Sequence, residues 1–372
     1  MSNFEKWDNE FRAQNLYAFN NNTNALLWLK VRAVCRGKLI GQFLNENGLA
    51  LTTSKVSEQN IELFELLENR DDAKLMLDRF LQGKNHEWYT SMGVDEEKLK
   101  ADLYKVQYYA WGGDHNNSLD KHLVSRYVKV ISEYDNLVSK QGEIANNAWN
   151  YVQNSWYNNW TSYLIESLFK RHPRVISAVG EIKSVDFFID DFPIDLKVTF
   201  FPNQYMDEKI KAKLGKSVLS WLKAQGKKFG ITANGDYSES QQIYTLTEKL
   251  SELGHYEIIK SLNATKREVI RDTQNDPIEL MVWLYAHQGE MRFGAENRLF
   301  VVLADSIDMN QSWKMKRAFS LIEPKIQNYL DCFTNKSLKK IDFNFKKQNY
   351  TSLADVIFVI SKTEFEEEDD KE

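Results

Sequence analysis

The stretch from Val185 to Thr199, Val-Asp-Phe-Phe-Ile-Asp-Asp-Phe-Pro-Ile-Asp-Leu-Lys-Val-Thr, constrains this chain more than any other. Two short runs rich in β-branched and aromatic residues flank Asp190-Asp191-Phe192-Pro193, a combination that predicts a tight β-hairpin. Alternate residues of a strand share a face, so Val185, Phe187 and Ile189 point one way, with Ile194, Leu196 and Val198 across from them. That face is core. With the loop centred on Asp191-Phe192, Asp186 lies opposite Lys197 on the other face, and Asp195 stands beside them. Two carboxylates and an ammonium then converge on one side of a half-buried sheet.

An ordinary solvated cross-strand pair, worth a fraction of a kcal/mol, is the plainest account of Asp186 and Lys197. The surroundings argue for more, because Asp is among the residues most depleted from strands, and here two sit inside strongly apolar ones. Two neighbouring carboxylates suit a hard divalent cation, and Lys197 is placed to polarise or deprotonate a water beside it.

Asp186, a hairpin, then Asp195-Leu196-Lys197 resembles the catalytic core of the PD-(D/E)xK nucleases, the superfamily that includes many type II restriction endonucleases. In that family a helix carrying a Glu precedes the hairpin, and Glu166 in Tyr-Leu-Ile-Glu-Ser-Leu-Phe-Lys matches it in position and surroundings. The resemblance covers residues 156–200, with a looser match of element order towards the C-terminus. It implies an α+β fold with an α/β core: a mixed β-sheet flanked by helices, restriction-endonuclease-like, with an all-α region ahead of it. It also implies a Mg²⁺-dependent endonuclease, with Mn²⁺ as a substitute, in which Asp186, Asp195 and Glu166 hold the metal and Lys197 acts on the attacking water. Glu181-Ile182-Lys183 is a second Glu-x-Lys, ranked lower because no Asp-bearing hairpin strand precedes it, although Glu181 stays within reach of the metal site.

The rest of the chain bounds the alternatives. At 372 residues it can bury a large core, and five prolines favour long helices. Cys35 and Cys332 follow no metal-ligand spacing, the start has no basic-then-apolar signal, and no apolar run approaches membrane-spanning length, so a reduced cytoplasmic protein is expected. Six dispersed histidines show no paired spacing, and no Gly-x-Ser-x-Gly elbow is present. Lys213-Leu-Gly-Lys-Ser lacks the first glycine of a phosphate-binding loop, Ile210 standing in its place. The net charge of −5 argues against nucleic acid, but much of it sits in the last nine residues, and the part carrying the hairpin is mildly basic.

Periodicity predicts helices over 25–43, 57–67, 71–81 and from Asp95, with Thr23 or Asn24 capping the first, then a helical pattern over 118–171 broken near Gly142 and at Asn158-Asn159. Trp149, Val152, Trp156 and Trp160 fall on one helical face and are assigned to the core. A strand over 175–179 leads into the hairpin. A helix over 206–228 then carries Lys209, Lys213, Lys216, Lys223 and Lys227, a surface for a phosphate backbone. Helices over 241–262, 277–287 and 313–329 follow, the last lying between apolar runs at 299–304 and 356–361 that suggest a crossover in a covered sheet. Residues 1–145 are read as a helical domain for DNA recognition or dimerisation, 146–363 as the nuclease-like domain, and 364–372 as an acidic, disordered tail. The expected partners are double-stranded DNA, a second copy of the chain, and a cognate methyltransferase or a phage-defence partner that triggers an effector nuclease. A catalytically inactive nucleic-acid-binding protein of the same fold is the alternative from another class.

Overall fold

The computed structural model describes residues 1–113, 118–182, 184–287, 296–306, 308–345 and 347–361, and only the backbone of 179–181 and 240. Lys183, the Glu181 side chain and the acidic tail therefore lie outside the described residues. The helices are α1 (Asn3–Arg12), α2 (Thr23–Val34), α3 (Leu39–Glu46), α4 (Val56–Leu67), α5 (Ala73–Met92), α6 (Glu96–Leu103), α7 (Leu119–Leu123), α8 (Tyr134–Ser139) and α9 (Gln141–Lys170). Strands β1 (Val175–Ile182), β2 (Val185–Ile189) and β3 (Phe192–Phe200) follow, then α10 (Asn203–Leu214), α11 (Val218–Lys227), α12 (Glu239–Glu252), α13 (Tyr256–Asn275) and α14 (Ile278–His287). The chain ends with β4 (Arg298–Ala304), a 3-10 segment (Met309–Arg317), α15 (Phe319–Asp331), β5 (Lys339–Phe345) and β6 (Gln348–Ile360).

The six strands form one mixed sheet in the order β1-β2-β3-β4-β6-β5, and the α+β class expected from the sequence is what the chain adopts. β1, β2 and β3 run antiparallel, β3, β4 and β6 are parallel neighbours, and β5 returns antiparallel to β6. Each parallel pair needs a crossover. The helices α10–α14 make the first and α15 the second, as the alternation of apolar runs suggested.

Side-chain alternation sorts the sheet into two faces. On one face Phe187, Ile189, Ile194, Leu299, Val301, Leu303, Ile357 and Val359 share a core with α9 and α15. The opposite face is covered twice. Over β1 and β2, Ile176, Ala178 and Phe188 pack with α1–α5, so the N-terminal helices and the first strands share one core. Over β4–β6, Phe300, Val302 and Ala354 pack with α10–α14. Between these two helical layers lies the stretch of β3 that contributes Asp195, Lys197 and Thr199, and none of these joins either apolar cluster.

Several helices differ from expectation, for local reasons. The helix begun at Thr23 is capped by Asn22, which accepts from the Ala25 N–H at 3.1 Å, and it ends at Val34 ahead of Gly37, whose φ of 49° breaks the run into α2 and α3. Gly215 and Gly254 likewise adopt left-handed φ and divide the lysine-rich run into α10 and α11 and the next into α12 and α13. Conversely, α9 runs unbroken through Asn158-Asn159, because the Asn158 carboxamide bonds Tyr109 and Lys316 rather than its own backbone. The tryptophan stripe is core only at its C-terminal end. Trp156 and Trp160 pack against the sheet-side cluster, whereas Trp149 is 64% exposed and Val152 is exposed with it.

Lys30 on α2 is 2% exposed and paired with Asp78 of α5, its ammonium 5.3 Å from the Phe188 ring. Removing one member of a buried pair strands the other, so Asp78→Ala is expected to lower unfolding stability by about 3 kcal/mol, while Lys30→Met costs clearly less. Urea titrations of the two variants that gave equal losses would contradict this ordering.

Candidate active site

Asp190 and Asp191 form a two-residue connection between β2 and β3, with Asp190 at a φ of 49° that short polar residues tolerate. Pro193 pairs with Phe188 inside the strand rather than in the turn, and Phe187 faces Ile194. The loop is thus centred one residue earlier than Asp191-Phe192, and the register corrects the expected opposition of Asp186 and Lys197. Continued along the ladder, it places Asp186 across from Asp195, with Lys197 two residues further along β3 on the same face. The face assignment holds for Phe187, Ile189, Ile194, Leu196 and Val198, with Asp195 and Lys197 alternating between them, but Val185 joins the core of the N-terminal helices instead, next to an irregularity in the β1–β2 pairing.

Asp186 Oδ2 accepts the Leu196 N–H at 2.7 Å. Burial raises the Asp186 carboxyl from the ordinary 3.8 to about 6, the Asp195 charge adds to this, the Leu196 N–H opposes it, and Glu166 contributes a further push upward. Asp195 is 5% exposed and holds two cations. Its Oδ1 accepts from Lys197 Nζ at 2.9 Å and its Oδ2 from Arg298 Nε at 3.2 Å. The Lys197 side chain is about one-third exposed, so its ammonium reaches solvent while Asp195 does not.

Glu166 on α9 lies near enough to raise the Asp186 carboxyl, but it is ion-paired with Lys170 one turn later. Among the described residues no group of three or more His, Cys, Asp or Glu side chains gathers as a metal cage. The donor set fits a more open site. Asp186 and Asp195 offer hard carboxylate oxygens on adjacent strands whose charges oppose each other, and Mg²⁺ characteristically takes one or two carboxylates with water and phosphate oxygens.

Sequence reasoning missed Arg298 and Glu296. Parallel pairing of β3 and β4 sets Asp195 beside Arg298, and Arg298 Nη2 donates to Glu296 Oε2 at 3.1 Å. Arg298 lies 4.7 Å from the Tyr285 ring centre, and the Tyr285 hydroxyl donates to the Glu296 carbonyl at 2.6 Å. Glu296 is fully buried, and burial raises its carboxyl while the Arg298 charge lowers it. The readable signal was Glu-Asn-Arg directly before the apolar run of β4, where a charge entering a buried strand demands a partner.

The lysines separate. Lys209 pairs with Glu279, and Lys213 lies 2.8 Å from both Glu268 and Asp272, so acids on α13 and α14 answer their charges. Lys216, Lys223 and Lys227 are exposed on and before α11.

An acid whose carboxyl is raised by folding is penalised when it ionises. For Asp186 that penalty is absent at pH 4 and below, grows as pH rises towards about 6, and is full above it. With EDTA present, Asp186→Asn is therefore expected to stabilise the protein by about 2 kcal/mol at pH 8 and by nothing at pH 4. Melting curves in which the variant gained nothing at pH 8 would count against a strained carboxylate pair. Comparison with family models, with curated proteins and with solved structures returned no match to this chain.

Proposed function

We propose that the protein is a metal-dependent endonuclease that hydrolyses DNA phosphodiester bonds. The observation that carries this reading is the gathering of Asp186, Asp195 and Lys197, with the two carboxylates close enough to repel each other and a one-third exposed Lys197 ammonium 2.9 Å from Asp195 Oδ1. Asp186 and Asp195 are the residues that would hold Mg²⁺, with Glu166 adding negative charge from α9. A bound Mg²⁺ supplies Lewis-acid polarisation of the scissile phosphate and stabilises charge on the leaving oxygen.

In this reading Lys197, the most exposed of the three, orients the attacking water and steadies the charge growing on the phosphate. Arg298 fixes the rotamer of Asp195 from beneath, leaving Lys197 to move with substrate. The exposed Lys216, Lys223 and Lys227 are candidates to track a phosphate backbone. Cutting both strands with one such site per chain calls for a homodimer, which light scattering would detect. Sequence-specific cleavage by the purified protein identifies a restriction enzyme, whereas activity that appears only with a partner identifies a triggered defence effector.

One observation favours a second reading, a nucleic-acid-binding protein with this fold and no chemistry. Both Asp195 oxygens are engaged by cations, so the carboxylate is already compensated without a metal.

Incubation of plasmid and phage DNA with the protein separates the two. Cleavage is expected with Mg²⁺ or Mn²⁺ and none with EDTA, and Asp195→Ala or Lys197→Ala is expected to reduce the rate at least 100-fold. Wild-type rates in both variants would exclude the assignment, and absent Mn²⁺ binding by calorimetry with intact DNA binding would establish the second reading. The triple variant Lys216→Ala/Lys223→Ala/Lys227→Ala is expected to bind DNA with a flatter dependence of affinity on salt.

A further inference from the structure

A cleft of about 800 Å³ lies at the C-terminal end of β3. Its floor includes Thr199 and Phe200, directly beyond Lys197 on the same strand. A strand advances about 3.3 Å per residue, so Thr199 stands about 6.6 Å past Lys197 on the same face. Asn158 of α9 and Tyr108 wall one side, and Trp283 and His287 of α14 wall the other.

The lining has flat faces. The His287 ring lies on Trp283 at 4.1 Å and 9° between planes, its residue otherwise exposed, and Tyr108 is 61% exposed. Deeper in, Tyr109 stacks on Trp313 at 5.4 Å and 11°. The lining also has an oriented polar group. Asn158 Oδ1 accepts from the Tyr109 hydroxyl and from Lys316 Nζ, each at 2.8 Å, which fixes the plane of the carboxamide and turns its amino group into a directed donor. Exposed aromatic planes beside a fixed amide, in a concavity of this volume, match a planar heteroaromatic ligand with hydrogen-bonding edges better than an aliphatic chain or an extended peptide.

We propose that this cleft is a nucleobase subsite that receives an unstacked base of the strand whose phosphate lies at Lys197, an inference that rests on the nuclease reading above. The base stacks on the Tyr108 or His287 face and meets the Asn158 amide with its edge. Its consequence is a preference for single-stranded, mismatched or otherwise easily unstacked sites over perfect duplex, because the cost of extruding a base is least there.

The test measures binding of a short labelled single-stranded oligonucleotide in Ca²⁺, of the same oligonucleotide with an abasic position, and of a free deoxynucleoside monophosphate, to wild type, Tyr108→Ala and His287→Ala. Both residues are exposed, and circular dichroism checks that the variants fold. Each variant is expected to weaken oligonucleotide binding about 5- to 100-fold, with the abasic probe showing a smaller loss. Unchanged affinity in both variants overturns the subsite, and so does a monophosphate that binds as tightly as the oligonucleotide, since the cleft is then a free-nucleotide pocket. Lys197→Ala, assayed for cleavage in parallel, keeps the two readings apart. Lost cleavage there with wild-type binding by Tyr108→Ala and His287→Ala removes the subsite alone. Undiminished cleavage there, or none by the wild type, with weakened binding in those variants removes the assignment of cleavage to Asp186, Asp195 and Lys197 and leaves the base-binding cleft.

Discussion

The parallel pairing of β3 with β4 is the interaction on which the rest of the site depends. It sets Asp195 beside Arg298, and it anchors the start of β3 through the Asp195 N–H, which donates to the Asn297 carbonyl at 2.9 Å. Asn297 in turn donates to the Pro193 carbonyl at 2.9 Å, which answers a carbonyl in a strand that proline interrupts. A carboxylate this deeply buried needs hydrogen bonds and opposite charge, and Lys197 and Arg298 supply both. Glu296 then balances Arg298, so the charges form a ladder running from solvent at Lys197 inward to a fully buried acid.

The site owes its openness to how the second face of the sheet is covered. One helical layer stops over β2 and the other begins over β4, so β3 keeps a strip of polar side chains between them. The other face is closed across the sheet by α9 and α15, and on the strip Asp195 is buried while the Lys197 side chain reaches solvent. Asp186 illustrates the balance. It is buried enough for its carboxyl to be raised, yet its strongest hydrogen bond is to a backbone N–H that pulls the other way.

The hairpin was legible because period-two alternation is a strong signal, and the faces it assigned to Phe187, Ile194, Asp186 and Lys197 are those adopted. Its register was less legible, since Phe-Pro reads as turn chemistry while the actual turn uses the left-handed tolerance of Asp190. The helical wall was legible in outline, and the limits came from context. Trp149 fits an apolar stripe but has little to pack on, and β5, with alternating Ile341, Phe343 and Phe345, is a polar-edged strand that a search for continuous apolar runs passes over. Arg298 was hidden because its role depends on a neighbour far away in sequence. No local pattern around Glu-Asn-Arg encodes that Asp195 will lie alongside.

The helices α10–α14 lie in sequence between the two halves of that ladder: Asp186, Asp195 and Lys197 precede them, and Glu296 and Arg298 follow. On a ribosome, the first group therefore emerges well before the residues that hold Asp195 in place. A nascent or prematurely terminated chain would carry the acids and the lysine without the arginine that orders them. Completion of the site is thereby tied to synthesis and docking of the entire helical excursion.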